Sequence, residues 1–277
     1  MKDLRIAVIG AGNMGQALLE GLVESGQVRP SRICASDRRK DRLTDLKKRL
    51  RICTESRNTA AVKKADIVVL AVKPQILDKV LIELKPALPT DCLLISIVAG
   101  FPTGLIEHLA GGKRRVVRAM PNIAAMVRMA ATAICQGKQA RKADMKLARR
   151  IFETCGTVTE VDESLMDAVT GLSGTGPMYI FIIIEALSDA GVRVGLGREQ
   201  ATQLAIQTIL GAGEMVRSTG RHPIYLKDMV TSPGGTAINA LYSLEKTGLR
   251  ADLMDAVETA TRRSAELGKP YAENKNS

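Results

Sequence analysis

The sequence predicts an α/β protein with two domains: a mostly parallel β-sheet domain covered by helices, followed by an all-α domain. Three observations lead to this prediction. The chain has 277 residues, which suits two domains of ordinary size. Up to position 161, short apolar runs alternate with amphipathic stretches, as in strands joined by crossover helices. Beyond it the strand pattern stops, so we place the domains at residues 1–161 and 162–277.

The predicted strands are short and rich in β-branched residues. In chain order they cover residues 4–9, 32–36, 52–54, 65–72, 92–98, 115–118, 132–135 and 158–161. The helices predicted between them cover residues 14–25, 41–50, 75–86, 103–109 and 140–155. Crossover helices connect parallel strands, and a parallel sheet is normally covered on both faces.

The second domain shows only helical periodicity. Residues 198–217 and 252–267 each place apolar side chains on one helical face. Residues 179–187 are apolar on all sides, so the helix that carries them should be buried all round. A small domain has little room for such a helix. We therefore predict a homodimer in which a second copy of the chain covers it.

Composition and charge limit the possible partners. The net charge is +11, but the basic residues are scattered as pairs and triplets. Aromatic residues make up only 3% and tryptophan is absent, so we expect no nucleic-acid binding by base stacking. The longest apolar run, residues 179–184, extends to Leu187 only across Glu185 and is too short to span a bilayer, so we expect no membrane insertion. A positive field suits a small anionic ligand.

The sequence predicts a reduced, cytoplasmic protein without a metal site. The prediction rests on its cysteines, its histidines and its N-terminal residues. The five cysteines are widely spaced and form no CxxC motif, so we predict neither a disulfide framework nor a zinc site. We expect no secretory signal after Met1. His108 falls in a surface-like helix and His222 in a polar turn, so neither is predicted to be catalytic.

A glycine-rich loop directly follows the first predicted strand and opens the first helix. It consists of Gly10, Ala11, Gly12, Asn13, Met14 and Gly15. Gly10 permits the tight turn, Gly12 lets the backbone approach a pyrophosphate, and Gly15 lets helix and strand pack closely. Free N–H groups at the helix start would hold the anion. The motif predicts a Rossmann-type domain that binds a dinucleotide.

The end of the second strand predicts which dinucleotide is bound. Asp37 alone would favour the ribose 2′-hydroxyl of NAD. Arg38, Arg39 and Lys40 follow it and suit a 2′-phosphate, held by charge-assisted hydrogen bonds. We predict NADPH as the cofactor, bound through Arg38 and Arg39, and leave NADH open as the alternative.

Further ligand-facing residues are expected where the other strands end, because ligands of such sheets bind at the carboxyl ends of the strands. These positions combine a proline or glycine that stops the strand with nearby polar groups. They are Ala71, Val72, Lys73 and Pro74, then Ala99 and Gly100, then Met120, Pro121 and Asn122.

In these motifs and in others the chain resembles the pyrroline-5-carboxylate reductase family. The matching segments run in order through nearly the whole chain, and several are specific to this family. They are residues 10–15, 58–60, 71–75, 96–100, 120–122, 172–179, 185–186, 189–192, 195–196 and 232–236.

The resemblance implies that the chain reduces Δ1-pyrroline-5-carboxylate to L-proline, the last step of proline biosynthesis, with hydride from NADPH or NADH. It implies that the helical domain dimerises and that dimers assemble into a larger ring. It also implies that Asn58 lines the cofactor together with the strand-end turns. The family's substrate loop falls on Ser232, Gly234, Gly235, Thr236 and Ala237.

The residue types of this loop predict an anion site independently of the family. Ser232 suits a helix N-cap and Pro233 the first helical position. The backbone amides that follow, with the helix dipole, would make a carboxylate site that needs no arginine. A capped helix start without a ligand is the plain structural alternative.

One departure from the family concerns proton transfer. The family usually has threonine where this chain has Ala237, and that hydroxyl is thought to reach the substrate nitrogen. The candidate catalytic residues that remain are Thr236 and Ser232, with water as a further proton source. A protonated imine is already electrophilic, so orienting the reactants matters more than a strong general acid.

Two other functions stay open. A β-hydroxyacid-type dehydrogenase typically carries a catalytic lysine on the first long helix of its second domain, and residues 177–189 contain none. A non-catalytic NAD(P)-sensing module would bind the cofactor and signal by oligomerisation. The alanine at position 237 makes this second possibility worth testing.

Overall fold

The computed structural model describes the backbone of residues 1–273 and the side chains of residues 1–268. The chain forms two compact units, one built from residues 1–175 together with those from 258 onward, the other from residues 176–257. The sheet unit thus extends beyond position 161 and also contains the end of the last helix, from residue 258 onward. The boundary at 161/162 stays a prediction, and residues 274–277 of the predicted second domain lie outside the described part.

Within the described residues, eight strands form one sheet. They are β1 (Ile6–Ile9), β2 (Ile33–Ser36), β3 (Cys53–Glu55), β4 (Ile67–Leu70), β5 (Leu93–Ser96), β6 (Arg115–Met120), β7 (Ala130–Gln136) and β8 (Gly156–Glu160). Their spatial order is β3-β2-β1-β4-β5-β6-β7-β8. Every neighbouring pair is parallel except β6 and β7. The sheet is mostly parallel and its strands lie close to the predicted positions, which confirms the predicted α/β fold of the first domain.

The strand order reverses between β1 and β4. Ile6 of β1 lies opposite Ile33 of β2 on one side and Ile67 of β4 on the other. The connections that leave β1 and β4 therefore diverge at the carboxyl edge and open a crevice there. β6 and β7 are antiparallel because only the short 3₁₀ turn Ile123–Val127 joins them, and a parallel connection needs a longer crossover.

Helices cover the sheet and then make up the second unit. In the sheet unit they are α1 (Asn13–Glu24), α2 (Lys40–Leu50), α3 (Asn58–Val62), α4 (Leu77–Leu84), α5 (Thr103–Leu109), α6 (Lys142–Phe152) and α7 (Met166–Val169). The later helices are α8 (Gly176–Arg193), α9 (Arg198–Thr219), α10 (Pro223–Val230), α11 (Thr236–Thr247) and α12 (Leu249–Glu273). The sequence did not predict α3, α7 and α10. α3 and α7, with five and four residues, are too short to show a clear helical period.

The sheet has a hydrophobic core on each face. Along β1, Ile6 and Val8 pack into one cluster of buried side chains, and Ala7 and Ile9 pack into the other. All of these side chains are fully buried. Because consecutive residues of a strand point to opposite faces, a strand buried on both sides has to be apolar throughout. This requirement explains why the strands are continuous apolar runs in the sequence.

The helical unit leaves much apolar surface uncovered within one chain. α8 and α9 pack closely where Gly191 meets Ala201, and the Tyr179 hydroxyl donates a hydrogen bond to the Ala256 carbonyl oxygen (3.4 Å). Phe181 and Ile182 of α8 nevertheless stay 61% and 57% exposed. By length and composition alone the helical stretch Glu163–Arg193, with mean hydropathy 1.3, could cross a membrane, although residues 179–187 by themselves are too short.

The end of α12 packs against the carboxyl edge of the sheet. Gly268 approaches Gly100 so closely that a Cβ atom on Gly268 would lie 2.6 Å from the Gly100 carbonyl oxygen. Nearby, the buried Ser264 hydroxyl donates a hydrogen bond to the Asp167 carboxylate (2.7 Å). The Asp167 carboxylate also lies 3.7 Å from the guanidinium of Arg118, which is almost fully buried. The last helix is therefore fixed to the loop that follows β5 through Gly268 and to α7 through Ser264.

We predict that Gly268→Ala lowers the free energy of unfolding by about 1–3 kcal/mol, because the added methyl group meets the Gly100 carbonyl oxygen. Urea unfolding at one fixed protein concentration measures the change. Ala265→Ser, on an exposed position of the same helix, is the control and should leave the midpoint unchanged. A Gly268→Ala protein as stable as the parent would show that this close packing does not occur in solution.

Candidate functional site

Strands β1, β4, β5 and β6 lie side by side, run in the same direction and end at one edge of the sheet. The loops that follow them bring together residues that are far apart in the sequence. Met14 of the glycine loop, Ile97 after β5 and Pro121 after β6 line one small apolar pocket there. The predicted strand-end residues therefore share one edge, as expected for a parallel sheet.

The glycine loop has the geometry of a cradle for a phosphate. Gly10 adopts φ +98°, and a Cβ atom on it would lie 2.5 Å from the Ala71 carbonyl oxygen. A Cβ atom on Gly15 would lie 2.1 Å from the Gly10 carbonyl oxygen, so both positions need glycine to bring α1 close to the strands. Gly12, at the N-cap of α1, has open space where its Cβ would be. The first amides of α1 are thus accessible to an anion.

A groove of about 520 Å³ extends from this loop across the ends of β2 and β4. It is lined by eight of the predicted cofactor residues: Gly10, Gly12, Arg38, Arg39, Asn58, Ala71, Val72 and Lys73. It is also lined by Asp37, which the sequence analysis considered as a ribose ligand, and by residues that the sequence analysis did not select: Ser36, Arg42, Ile76, Lys79, Val80 and Glu83. No motif pointed to Arg42 and Lys79, although each lies within a turn or two of the start of a helix that begins at the groove.

Asp37 is bound inside the protein rather than presented to the groove as a free carboxylate. One carboxylate oxygen accepts a hydrogen bond from the Ala11 amide (2.9 Å), and the other accepts one from the Arg39 amide (2.9 Å). The Arg42 guanidinium lies 3.4 Å away, and the Asp37 side chain is only 14% exposed. Asp37 therefore holds the glycine loop against the end of β2 through both of its carboxylate oxygens.

Arg38 and Arg39 form the basic end of the groove. Both are exposed, and the Arg39 guanidinium lies 2.6 Å from the Asp41 carboxylate. The hydrogen bond from Arg39 lowers the pKa of Asp41, and the same hydrogen bond raises the pKa of Arg39. An exposed ion pair of this kind is weak and can be exchanged for a stronger anion. Two guanidinium groups are thus available to a phosphate at this end.

Asn58 lies at the start of α3 in a short chain of polar side chains. Its amide oxygen accepts a hydrogen bond from the Ser36 hydroxyl (2.7 Å), and its amide nitrogen donates one to Glu83 (3.1 Å). The end of β2, the start of α3 and the end of α4 are linked through this residue. The structure therefore places Asn58 at the groove, where the resemblance put it.

Asn122 supplies a polar atom that has no hydrogen-bond partner in the described part of the chain. Its side chain is 9% exposed, and its amide nitrogen donates a hydrogen bond to the Ser173 carbonyl oxygen (3.0 Å). Its amide oxygen is buried and accepts no hydrogen bond. A buried acceptor without a donor is unfavourable, so a donor on a ligand is expected there.

The remaining predicted cofactor residues lie at the same edge but do not line the groove. Asn13 begins α1, Pro74 begins a 3₁₀ turn, and Met120 ends β6. Ala99 is half-buried, and Gly100 packs against α12. Whether these residues contact a ligand stays a prediction.

The substrate-loop residues form a turn before α11. The Gly235 amide donates a hydrogen bond to the Ser232 carbonyl oxygen (3.1 Å), and Gly234 adopts φ +65°. Proline followed by a left-handed glycine is typical of a type II turn. α11 then begins at Thr236 with Gly235 as its N-cap. The prediction that Ser232 caps this helix and Pro233 starts it is wrong, because the left-handed Gly234 cannot belong to a right-handed helix.

With its start at Thr236, α11 still offers free backbone amides that could bind an anion. The amides at the start of the helix lack partners within the helix, and its first turn contains no acidic residue. Ser232 and Thr236 are exposed, and Ala237 is half-buried. This loop belongs to the helical unit, whereas the groove belongs to the sheet unit.

Outside the groove and the substrate loop, His222 and Glu163 make structural contacts, and no metal site is formed by the described residues. They contain no group of three or more histidine, cysteine or acidic side chains placed to hold a metal ion. His108 is exposed on α5, and the His222 ring accepts a hydrogen bond from the Ile224 amide (3.3 Å) as the N-cap of α10. Glu163 accepts hydrogen bonds from the amide and hydroxyl of Thr103 (2.6 and 2.8 Å). These contacts are structural.

Comparisons with known proteins agree on one family. A model described as NADP oxidoreductase coenzyme F420-dependent matches residues 5–100, and one described as pyrroline-5-carboxylate reductase dimerisation matches residues 163–267. The chain is 50% identical over 269 residues to a pyrroline-5-carboxylate reductase of Methanosarcina acetivorans, a match that covers 97% of this chain and 100% of the relative.

Solved structures give the same result. A pyrroline-5-carboxylate reductase of Coxiella burnetii is 39% identical, with a TM-score of 0.90, and the match covers 95% of this chain and 98% of that one. A pyrroline carboxylate reductase of Plasmodium falciparum with NADP bound is 36% identical, with a TM-score of 0.88 and coverage of 97% and 99%.

Proposed function

This chain belongs to the pyrroline-5-carboxylate reductase family, and from that premise we propose that it reduces Δ1-pyrroline-5-carboxylate to L-proline with NADPH. It is an NAD(P)H-dependent oxidoreductase of proline biosynthesis. The observation that carries the proposal is the glycine cradle at the start of α1, which opens into a groove with Arg38 and Arg39 at its far end.

The residues of the sheet unit fit NADPH. Backbone amides of residues 12–15 would hold the pyrophosphate, with the dipole of α1 behind them. Arg38 and Arg39 would hold the 2′-phosphate, and the buried amide oxygen of Asn122 would accept a hydrogen bond from the nicotinamide carboxamide. Bound NADPH supplies the hydride that reduces the C=N bond. Because Arg38 and Arg39 at the groove can pair with a 2′-phosphate that NADH lacks, the groove favours NADPH over NADH.

The substrate loop would bind the other reactant. The first amides of α11 suit the substrate carboxylate, and the turn at Gly234 and Gly235 exposes them. The hydroxyls of Thr236 and Ser232 would orient the ring nitrogen and donate a proton to it, a role that water can share. Ala237 contributes its backbone only. Binding both reactants in a fixed orientation lowers the barrier without a strong general acid.

The helical region is a dimerisation domain, and the chain forms a homodimer. Its exposed apolar surface supports this assembly, since Phe181, Ile182 and their neighbours on α8 would otherwise face water.

We further propose that dimers assemble into a larger ring and that the enzyme is cytoplasmic, with α8 covered by the second copy rather than by lipid. Light scattering on the purified protein would show a multiple of the dimer mass. A chain that partitions into detergent would contradict this arrangement.

NADPH oxidation with Δ1-pyrroline-5-carboxylate tests the reaction directly. We expect turnover with this substrate to exceed turnover with Δ1-piperideine carboxylates, and NADPH to be preferred over NADH. L-proline should appear in step with NADPH consumption. Tight NADPH binding without turnover of any imine would contradict the proposal and favour the cofactor-sensing module.

We predict that Arg38→Ala raises the KM for NADPH about tenfold or more and leaves the KM for NADH nearly unchanged, because a hydrogen bond to a charged group contributes about 1.5–3 kcal/mol. Steady-state kinetics with both cofactors measure the change. Lys47→Ala removes one positive charge from α2 outside the groove and serves as the control. An equal loss with both cofactors would place Arg38 away from the 2′-phosphate.

We predict that Ala237→Thr raises kcat, because it adds a hydroxyl beside Thr236 at the start of α11. The rate should rise most at high pH, where less of the imine is protonated in solution. Single-turnover reduction across a pH series measures the gain, and Ala237→Val, which adds similar volume without a hydroxyl, should show none. If threonine and valine behave alike, the missing hydroxyl is immaterial in this chain.

A further inference from the structure

Two cysteines that are distant in the sequence lie side by side at the β3 edge of the sheet. Cys34 of β2 and Cys53 of β3 are direct partners in the register of these parallel strands. Their sulfur atoms are 3.1 Å apart, with the Cys34 thiol donating a hydrogen bond to the Cys53 sulfur. Cys34 is half-buried and Cys53 is exposed. Neither residue takes part in the cofactor groove or the substrate loop.

The backbone geometry permits a bond between these sulfurs. Neighbouring strands lie about 4.8 Å apart, which is within the Cα–Cα range of about 4.4–6.8 Å that disulfides use. The sulfurs need to approach by only about 1 Å to reach the S–S bond length of about 2.05 Å.

The other three cysteines differ from this pair. Cys92, Cys135 and Cys155 are 1%, 1% and 2% exposed. Burial raises the pKa of each of them, in the case of Cys135 to about 12. Burial and the neighbouring Cys53 raise the pKa of Cys34 as well, so what distinguishes the pair is the exposure of Cys53. Buried thiols that retain their protons react slowly, because the thiolate is the nucleophile. Cys53, with its exposed sulfur, is the cysteine that reagents can reach.

The pair opens into a basic cavity. This cavity, of about 270 Å³, is lined by both cysteines and by Arg5, Arg32, Lys63 and Lys64. One acidic side chain, Glu55, also lines it. Four positive charges against one negative charge attract an anionic reagent. The cavity also lies outside residues 163–267, the region matched by the dimerisation model.

We propose that Cys34 and Cys53 form a dithiol site that reduces an anionic, low-molecular-weight disulfide and is itself converted to an intramolecular disulfide. The Cys53 thiolate attacks one sulfur of the reagent, which forms a mixed disulfide and releases one reagent thiol. Cys34 then loses its proton and attacks the Cys53 sulfur, which releases the second thiol. Two electrons and two protons pass from the cysteines to the reagent, and an excess of dithiol reverses the reaction.

The dithiol site is connected to the cofactor groove through α3. Ala60 and Ala61 of this short helix line the basic cavity, whereas Asn58 at its start lines the groove. Ser36, which donates to Asn58, lies two residues after Cys34 on the same face of β2. Drawing β2 and β3 together at the cysteines should therefore disturb the hydrogen bond between Ser36 and Asn58. This consequence rests on the proposed function, whereas the cross-link does not.

Oxidised glutathione is the probe for the cross-link. The full-length protein is equilibrated with it, the remaining thiols are alkylated, and tryptic peptides are identified by mass spectrometry. We expect residues 33–38 and 52–57 to appear as one disulfide-linked pair and the other three cysteines to be alkylated only after unfolding. Dithiothreitol should restore two free peptides. Failure of the two peptides to link at high oxidant excess would overturn the proposal.

Single variants test the order of the two steps. Cys34→Ser should keep a stable mixed disulfide between Cys53 and glutathione, because the resolving thiol is gone. Cys53→Ser should leave Cys34 largely unmodified. Equal glutathione labelling of the two variants would overturn the assignment of Cys53 as the attacking residue. Urea unfolding of both variants confirms that each is folded.

Kinetics test the connection to the groove. We expect the cross-linked protein to show a KM for NADPH at least about twofold higher, with kcat unchanged and with full recovery on reduction. The same treatment of Cys53→Ser should leave the KM unchanged. An unchanged KM in a protein that mass spectrometry shows to be fully cross-linked would overturn the connection and leave the thiol chemistry standing.

Discussion

The close approach of α1 to the ends of β1 and β4 is the constraint on which the rest of this structure depends. It exists because Gly15 rests on the Gly10 carbonyl oxygen, and Gly10 in turn meets the Ala71 carbonyl oxygen. The Asp37 carboxylate holds the loop from the other side through the Ala11 amide. A hydrogen bond to a charged group contributes about 1.5–3 kcal/mol, so this contact has a substantial share in fixing the loop.

This constraint explains the division of roles between carboxylate and guanidinium at the end of β2. Asp37 lies where a free acidic residue would accept the ribose hydroxyl of NAD, yet it serves the backbone instead. Arg38 and Arg39, which follow Asp37 in the chain, are exposed and line the groove. In the proposed function these positive groups, which can pair with a 2′-phosphate, are the source of the preference for a phosphorylated ribose.

Much of the sheet unit could be predicted from the sequence because its strands are buried on both faces and must be apolar throughout. The short helices α3 and α7 were not predicted because a helical period needs more than four or five residues to become visible. The N-cap of α11 was wrongly placed because Ser232 and Pro233 suit both a helix start and a turn. The two glycines that follow them carried the information that distinguished these two structures.

Pairwise contacts were the least predictable feature. The hydrogen bond from the Ala11 amide to Asp37 and the pairing of Cys34 with Cys53 depend on the register of strands that are remote in the sequence. Both cysteines lay at predicted strands, so a model of the strand order would have brought them together. Spacing along the chain, such as a CxxC motif, could not reveal them.

The measurement that tests the central claim most directly is a fluorescence titration of the Gly12→Ala protein with NADPH. Gly12 adopts an extended conformation that any residue tolerates, and its Cβ position is open, so the variant should fold as the parent does. The added methyl group would stand where the pyrophosphate approaches the helix. We predict a loss of NADPH affinity of at least about tenfold with an unchanged urea midpoint. Undiminished affinity in a folded Gly12→Ala protein would show that the nucleotide does not bind over this loop, and the account would fail.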